Sequence, residues 1–150
     1  MTVDDAPRAG VRLRRIGLVE DHESVAMGLR AILADETDLD LVAVAATVDE
    51  LLTGPQQQFD LVVLDLRLGD GSSPRSNVEK LHTVGVQVLV YTGAENPFLV
   101  RSAARAGVLG VVRKSEPAAA IVAAFAGVKL TGEANGRLLE QVRAVHAFAT

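Results

Sequence analysis

Short apolar segments alternate along the chain with longer segments in which apolar residues recur at the helical period. The apolar segments predict five strands, because such runs are typical of strands buried within a sheet, and they lie at 16–19, 39–45, 61–64, 86–90 and 108–112. The periodic segments predict five helices, which lie at 24–34, 47–52, 76–84, 97–106 and 118–128. Strand-then-helix units in succession are typical of an α/β domain with a parallel sheet.

Capping residues support several of these helix boundaries. Ser24 is a candidate N-cap for the first helix, and Thr47 with Glu50 forms the Thr-x-x-Glu pattern of a capping box in the second. Pro97 suits the first turn of the fourth helix, and Gly107 suits its C-terminal end. We therefore expect these helices to begin and end near the named residues.

The two ends of the chain differ from the segment between them. Residues 1–11 show no periodicity and contain Pro7, which predicts a flexible tail before a single domain at 12–130. Residues 131–150 predict an extra C-terminal amphipathic helix. Its apolar stripe contains Ala134, Leu138, Val142, Val145 and Phe148. Such a stripe needs a partner, and the candidates are the parent domain, a second copy of the chain and a following domain.

Composition narrows the function classes. The chain has 150 residues, 49% of them apolar, which is enough for one packed core. It has no cysteine, which excludes disulfides, thiolate metal sites and cysteine nucleophiles. A net charge of -4 and 3% aromatic residues supply neither a basic surface nor a stacking platform for nucleic acid. No apolar run approaches the roughly 18 residues of a membrane span, so we expect no membrane contact and a cytoplasmic location.

Reactive side chains follow four of the five predicted strands. Glu20 and Asp21 follow the first strand, Asp65 the third, Thr92 the fourth and Lys114 the fifth. Each has an ordinary interpretation by itself, as a helix cap or a solvated loop residue. Because the carboxyl ends of parallel strands meet at one edge of a sheet, however, we expect these side chains to converge on one site.

Carboxylates, a hydroxyl and an ammonium at one edge predict phosphoryl transfer to a carboxylate. Carboxylate oxygens without thiolate or imidazole ligands match Mg²⁺, or Mn²⁺ in its place. Asp65 is the candidate nucleophile, since a metal ion and Lys114 would neutralise charge on the transferring oxygens. Thr92 would then donate a hydrogen bond to a phosphoryl oxygen. A carboxylate that holds phosphate in this way is a switch rather than a turnover enzyme.

The order of these motifs resembles the receiver domain of two-component response regulators, and within that group the NarL/LuxR type. The resemblance covers 12–130 and rests on Glu20-Asp21-His22 followed by Gly28-Leu29-Arg30-Ala31, on Val63-Leu64-Asp65-Leu66-Arg67, and on 105–114, which ends Gly-Val-Val-Arg-Lys. It implies a flavodoxin-like sheet of strand order 2-1-3-4-5 with helices on both faces. It also implies a signalling domain and not an enzyme with steady turnover.

The same resemblance implies a role for each candidate residue. Asp65 would accept the phosphoryl group from a sensor histidine kinase. Thr92 and Lys114 would be the switch hydroxyl and the phosphate-pairing lysine. The metal ligands would be three carboxylates and one backbone carbonyl: Glu20, Asp21, Asp65 and Arg67.

Four positions depart from the family pattern. Glu20 stands where an aspartate is more frequent, and Gly69 where a proline usually follows the phosphoacceptor strand. Val111 replaces the usual Tyr or Phe of the fifth strand, so coupling by aromatic rotation is in doubt. Lys114 is followed by Ser115 instead of proline, so a cis prolyl bond cannot form there.

The output is implied by the family and not by these residues. Regulators of the NarL/LuxR type carry a helix-turn-helix domain after the receiver, so DNA binding and control of transcription would need a domain absent from this chain. We expect either a truncated chain or a stand-alone receiver, with truncation slightly favoured and a homodimer as a candidate assembly.

Two other function classes remain open. An aspartyl-phosphate phosphohydrolase typically needs an acid two residues after the nucleophile, and Arg67 occupies that position. An interaction module that signals without phosphate would account for Val111 and for the unusual loop after Asp65. His22 stands beside two acids, and we interpret it as a loop histidine packed or solvated near them.

Overall fold

A five-stranded parallel sheet lies at the centre of the computed structural model, which describes residues 13–93 and 97–127. The strands are β1 (Arg14–Val19), β2 (Leu39–Ala45), β3 (Leu61–Leu64), β4 (Gln87–Thr92) and β5 (Gly110–Arg113). The helices are α1 (Glu23–Leu33), α2 (Val48–Thr53), α3 (Pro74–Thr83), α4 (Pro97–Arg105) and α5 (Ala118–Phe125). The strand order β2-β1-β3-β4-β5 confirms the predicted flavodoxin-like fold.

Alternate residues of the strands face opposite sides of the sheet, and hydrophobic clusters pack on both sides. On β3, Leu61 and Val63 belong to one core and Val62 and Leu64 to the other. Residues of α1 and α5 complete the first core, and residues of α2 and α3 complete the second. Because side chains alternate along a strand, this arrangement requires helices on both faces, as predicted.

Side-chain hydrogen bonds fix the start of two helices. Thr47 Oγ1 accepts the Glu50 N–H at 3.1 Å, and the Glu50 carboxylate accepts the Ala46 N–H at 3.2 Å, so the predicted capping residues do start α2. Ser73 Oγ accepts the Ser76 N–H at 3.1 Å. Helix α3 therefore begins at Pro74, two residues before the predicted 76, and the Ser73 side chain satisfies one of the free amides of its first turn.

The predicted N-cap of the first helix is wrong. Helix α1 begins at Glu23, so His22 occupies the N-cap position and Ser24 lies inside the first turn. His22 makes no capping bond with its side chain, and its ring contacts Glu20 instead. The loop between β1 and α1 is therefore only 20–22, which keeps its acids at the end of the strand.

Two terminal predictions lie outside the described residues, namely the tail at 1–11 and the amphipathic helix at 131–150. Within the described part, α5 ends at Phe125. Gly127 follows with a φ of 72°, and a Cβ there would stand 2.7 Å from an Arg14 guanidinium nitrogen. None of the described helices combines the length and the apolar character that crossing a membrane requires.

Candidate functional site

Backbone hydrogen bonds continue past the ends of the strands and bring the predicted site residues side by side. The Glu20 N–H donates to the Ala45 carbonyl at 2.9 Å, and the Asp65 N–H donates to the Val19 carbonyl at 3.0 Å. The Lys114 N–H donates to the carbonyl of a β4 residue, Thr92, at 3.0 Å. All of these backbones are therefore held at one edge of the sheet, as the parallel topology predicts.

Lys114 joins the acids of the first and third strands. Its Nζ lies 2.7 Å from Glu20 Oε2 and 3.3 Å from Asp65 Oδ2. Glu20 and Asp65 are only 3% and 4% exposed, so both carboxylates lie beneath the surface. The single ammonium of Lys114 thus pairs with two buried carboxylates, so the site has more negative than positive charge.

The pKa values of these groups reflect that excess. Burial raises the pKa of Asp65, and the charge of Glu20 raises it further, while Lys114 offsets only part of the effect. Burial alone would lower the pKa of Lys114, but the hydrogen bond to Glu20 and the charges of both acids raise it overall. Lys114 is therefore protonated at neutral pH, and Asp65 is costly to ionise without a further cation.

Asp21 and His22 close the exposed side of the site. Asp21 Oδ2 accepts the Gly69 N–H at 2.6 Å, which ties the first loop to the loop after β3. His22 Nδ1 lies 2.8 Å from Glu20 Oε1 and 3.1 Å from Asp21 Oδ1. The hydrogen bond to Glu20 and the charges of Asp21 and Glu20 raise the pKa of His22. The sequence predicted a histidine near the acids, but not these direct contacts.

The donor set fits a hard divalent cation. Glu20, Asp21, His22 and Asp65 each offer one ligand atom, and these atoms lie within 4.8 Å of one another. Three of the four are carboxylates, the ligands that Mg²⁺ and Mn²⁺ prefer. A divalent ion would also balance the negative charges of Glu20 and Asp65. His22 is better suited to orienting the Glu20 carboxylate, which its ring nitrogen contacts.

Thr92 and Arg67 lie close to Asp65 along the backbone. Leu64 of β3 pairs with Val90 of β4, so Thr92 lies one position further along β4 than the residue opposite Asp65. Thr92 is only 2% exposed. The Arg67 N–H lies 3.5 Å from Asp65 Oδ1, and the Arg67 side chain is exposed. The roles of the Thr92 hydroxyl and the Arg67 carbonyl stay predictions.

Tyr91 is buried on the opposite side of β4 from Val90, which packs against Val111 of β5. Its ring meets the Phe125 ring edge to face, with centroids 5.8 Å apart, and Lys114 Nζ lies 5.9 Å from the Tyr91 centroid. Val111 packs among aliphatic side chains, including Val90. The aromatic ring beside the site therefore belongs to β4 and not to β5.

Comparisons with known proteins decide the family. A family model described as the response regulator receiver domain matches residues 16–126. The chain belongs to the response regulator receiver domain family. It is 30% identical over 132 residues to the methanol utilization control regulatory protein MoxX of Paracoccus denitrificans, covering 85% of this chain and 59% of that protein. It is 30% identical over 115 residues to the transcriptional regulatory protein ComA of Bacillus subtilis, covering 69% and 50%.

A solved structure of a LuxR-family response regulator is similar to this chain. The two-component response regulator of the LuxR family from Aurantimonas sp. matches with a TM-score of 0.68 and 27% identity, covering 89% of this chain and 99% of that one. The curated relatives are longer, and this chain spans 59% of MoxX and 50% of ComA. The matched region therefore corresponds to only a part of these regulators, one of which, ComA, is described as a transcriptional regulatory protein.

Proposed function

We propose that this receiver domain is a metal-dependent switch that accepts a phosphoryl group on Asp65 from a sensor histidine kinase. The observation that carries the proposal is the contact of Lys114 with both Glu20 and Asp65, because three strands must meet at one edge to produce it. A buried carboxylate beside one ammonium and two further acids is equipped to hold a divalent ion and a phosphoryl group together.

The residues divide the reaction between them. An oxygen of Asp65 attacks the phosphorus of a phosphohistidine, an O–P bond forms, the P–N bond breaks, and the donor imidazole takes a proton from solvent. Glu20 and Asp21, with Asp65 and the Arg67 carbonyl, would hold Mg²⁺ or Mn²⁺, and the ion would neutralise charge on the transferring oxygens. Lys114 then pairs with the phosphoryl group, and the Thr92 hydroxyl donates to one of its oxygens.

The domain signals and does not turn over substrate. Arg67 stands two residues after Asp65, where an aspartyl-phosphate phosphohydrolase would carry an acid to protonate the leaving group, and its guanidinium cannot do so. We propose that phosphorylation controls a DNA-binding helix-turn-helix domain outside this chain, in the cytoplasm, with homodimerisation as one route. Response regulators as a class use kinases, dimers and output domains of this kind.

A phosphate-independent interaction module is the second candidate. It is favoured by Val111, which is 3% exposed among aliphatic side chains in a strand, β5, that contains no aromatic residue. The two candidates differ in metal affinity, because a module that signals without phosphate needs no divalent ion. Weak or absent Mg²⁺ binding by the wild-type domain would favour the second candidate.

Phosphorylation by acetyl phosphate in the presence of Mg²⁺ tests the first candidate. We expect intact-mass spectrometry to show one added phosphoryl group on the wild type and none on Asp65→Asn. Asp40→Asn is the matched control, because Asp40 is an exposed acid near the start of β2, at the opposite end of that strand from the site. An adduct that survives in Asp65→Asn, or a wild type that stays unmodified with acetyl phosphate and forms no beryllofluoride complex, would contradict the proposal.

A further inference from the structure

The loop after β3 contacts the acidic loop after β1 through a glycine, Gly69. The Gly69 N–H donates to Asp21 Oδ2 at 2.6 Å, although the two residues are far apart in the chain. A Cβ built on Gly69 would stand 2.8 Å from the same oxygen, closer than side chains tolerate. The contact therefore requires both a free N–H and the absence of a side chain at this position.

Only glycine meets both requirements. Proline, the residue that the family pattern favours here, has no N–H to donate, and its ring would occupy the space of the Asp21 carboxylate. Alanine keeps the N–H but places a methyl group against Asp21 Oδ2. The departure from the family pattern at Gly69 thus creates a hydrogen bond that a proline at this position would not make.

The rest of the loop holds this amide in place. Asp70 Oδ1 accepts both the N–H and the hydroxyl of Ser72, at 2.9 and 2.6 Å. Asn77 on α3, which is 1% exposed, donates from Nδ2 to Ser72 Oγ at 2.9 Å. The buried Asn77 side chain therefore ties this loop to α3. This bond restricts the loop from which the Gly69 N–H donates to Asp21.

We propose that Gly69 is a positioning residue for the metal site, whose N–H fixes the Asp21 carboxylate in the orientation that a divalent ion needs. A carboxylate has about four lone-pair sites on its two oxygens, so the N–H can hold Oδ2 while the group still ligates. This inference rests on the proposed function, because it takes Asp21 as a metal ligand. Partners of this kind orient ligands, and their loss typically weakens metal binding by about 10- to 100-fold.

Titration calorimetry with Mg²⁺ and Mn²⁺ on the full chain tests the inference. We expect Gly69→Pro and Gly69→Ala each to weaken binding by about tenfold or more. Gly71→Asn is the matched control in the same loop: nothing lies within 4 Å of a Cβ there, and its φ of 74° suits asparagine. The control should bind within about twofold of the wild type. Urea unfolding in EDTA verifies that each variant is folded, and if Gly69→Pro does not fold, Gly69→Ala decides.

A second arm shows whether Gly69 acts through Asp21. In an Asp21→Asn background, we expect Gly69→Ala to change the residual Mn²⁺ affinity by no more than about twofold, since the carboxylate to be positioned is gone. Full additivity of the two substitutions, or wild-type affinity in Gly69→Ala, would overturn the inference while leaving the proposed function intact. A wild type that binds no divalent ion would overturn both.

Discussion

Replacing Asp65 by Asn is expected to raise the free energy of unfolding of the metal-free protein by about 1–3 kcal/mol at pH 7. The substitution loses an attraction to Lys114 at 3.3 Å, about 5 kcal/mol at an effective dielectric of about 20. The substitution also removes the repulsion between Asp65 and Glu20. A carboxylate oxygen of each lies within 4.8 Å of the other, which corresponds to about 3.5 kcal/mol at the same effective dielectric. Asp65→Asn also removes the cost of burying an ion, several kcal/mol. Lys114 keeps Glu20 as its partner, so no buried charge is left alone.

Urea unfolding with and without divalent ions measures this effect. The pKa of Asp65 is raised in the folded protein. The free energy of unfolding of the wild type therefore falls as pH rises through that pKa, because a buried carboxyl group loses its proton. Below the ordinary carboxyl pKa of about 3.9, Asp65 is protonated in both states and this loss is absent. The advantage of Asp65→Asn should therefore be largest at neutral pH and should vanish in acid. Adding Mg²⁺ should stabilise the wild type by mass action and the variant far less.

A matched variant and a clear contrary result complete this test. Asp70→Asn removes an exposed acid of the same loop region and should show no gain in EDTA, because the hydrogen bonds of Ser72 lower the pKa of Asp70. If Asp65→Asn is less stable than the wild type in EDTA at pH 7, the excess of negative charge inferred for the site is wrong.

Three further substitutions test the packing around the sheet, two at close contacts and one at an open position. Phe125→Ala should lower the free energy of unfolding by about 3–5 kcal/mol in urea, because the side chain is fully buried against Tyr91; a loss below about 1 kcal/mol would contradict this packing. Gly17→Ala should lower the free energy of unfolding by about 1–3 kcal/mol, because its Cβ would stand 3.0 Å from the Phe59 ring. Gly28→Ala in α1 should raise it by about 0.5–1 kcal/mol, because nothing lies within 4 Å of a Cβ there and alanine favours the helix. Equal effects of the two glycine substitutions would count against the close approach at Gly17.

The central strands could be predicted because most of their residues are buried and apolar, most completely in β3 and β4. Where burial is incomplete, the prediction shifted. Leu109, assigned to the fifth strand, is 56% exposed and precedes a strand that begins at Gly110. Ser24 was mistaken for an N-cap because sequence spacing does not show that the ring of His22 turns toward Glu20. Capping depends on such side-chain choices, which tertiary contacts decide.

The convergence of the site could also be predicted, since topology alone brings strand ends together. The individual contacts could not. Lys114 could have paired with Asp21 as well as with Glu20, and only the rotamers in the folded protein select the buried partner. The bond from Gly69 to Asp21 depends on a loop geometry that no local pattern encodes. The absence of the family proline was visible, but its consequence required the coordinates.

The environment of Tyr91 gives this protein a native optical reporter. The chain has one tyrosine and no tryptophan, so near-ultraviolet absorbance and emission isolate a single ring in the native chain. Lys114 Nζ lies 5.9 Å from the centroid of that ring, and the Phe125 ring of α5 packs against it edge to face. If Lys114 moves toward a phosphoryl group on Asp65, the electric field at the Tyr91 phenol changes. The tyrosine absorbance and emission then report phosphorylation without an added label.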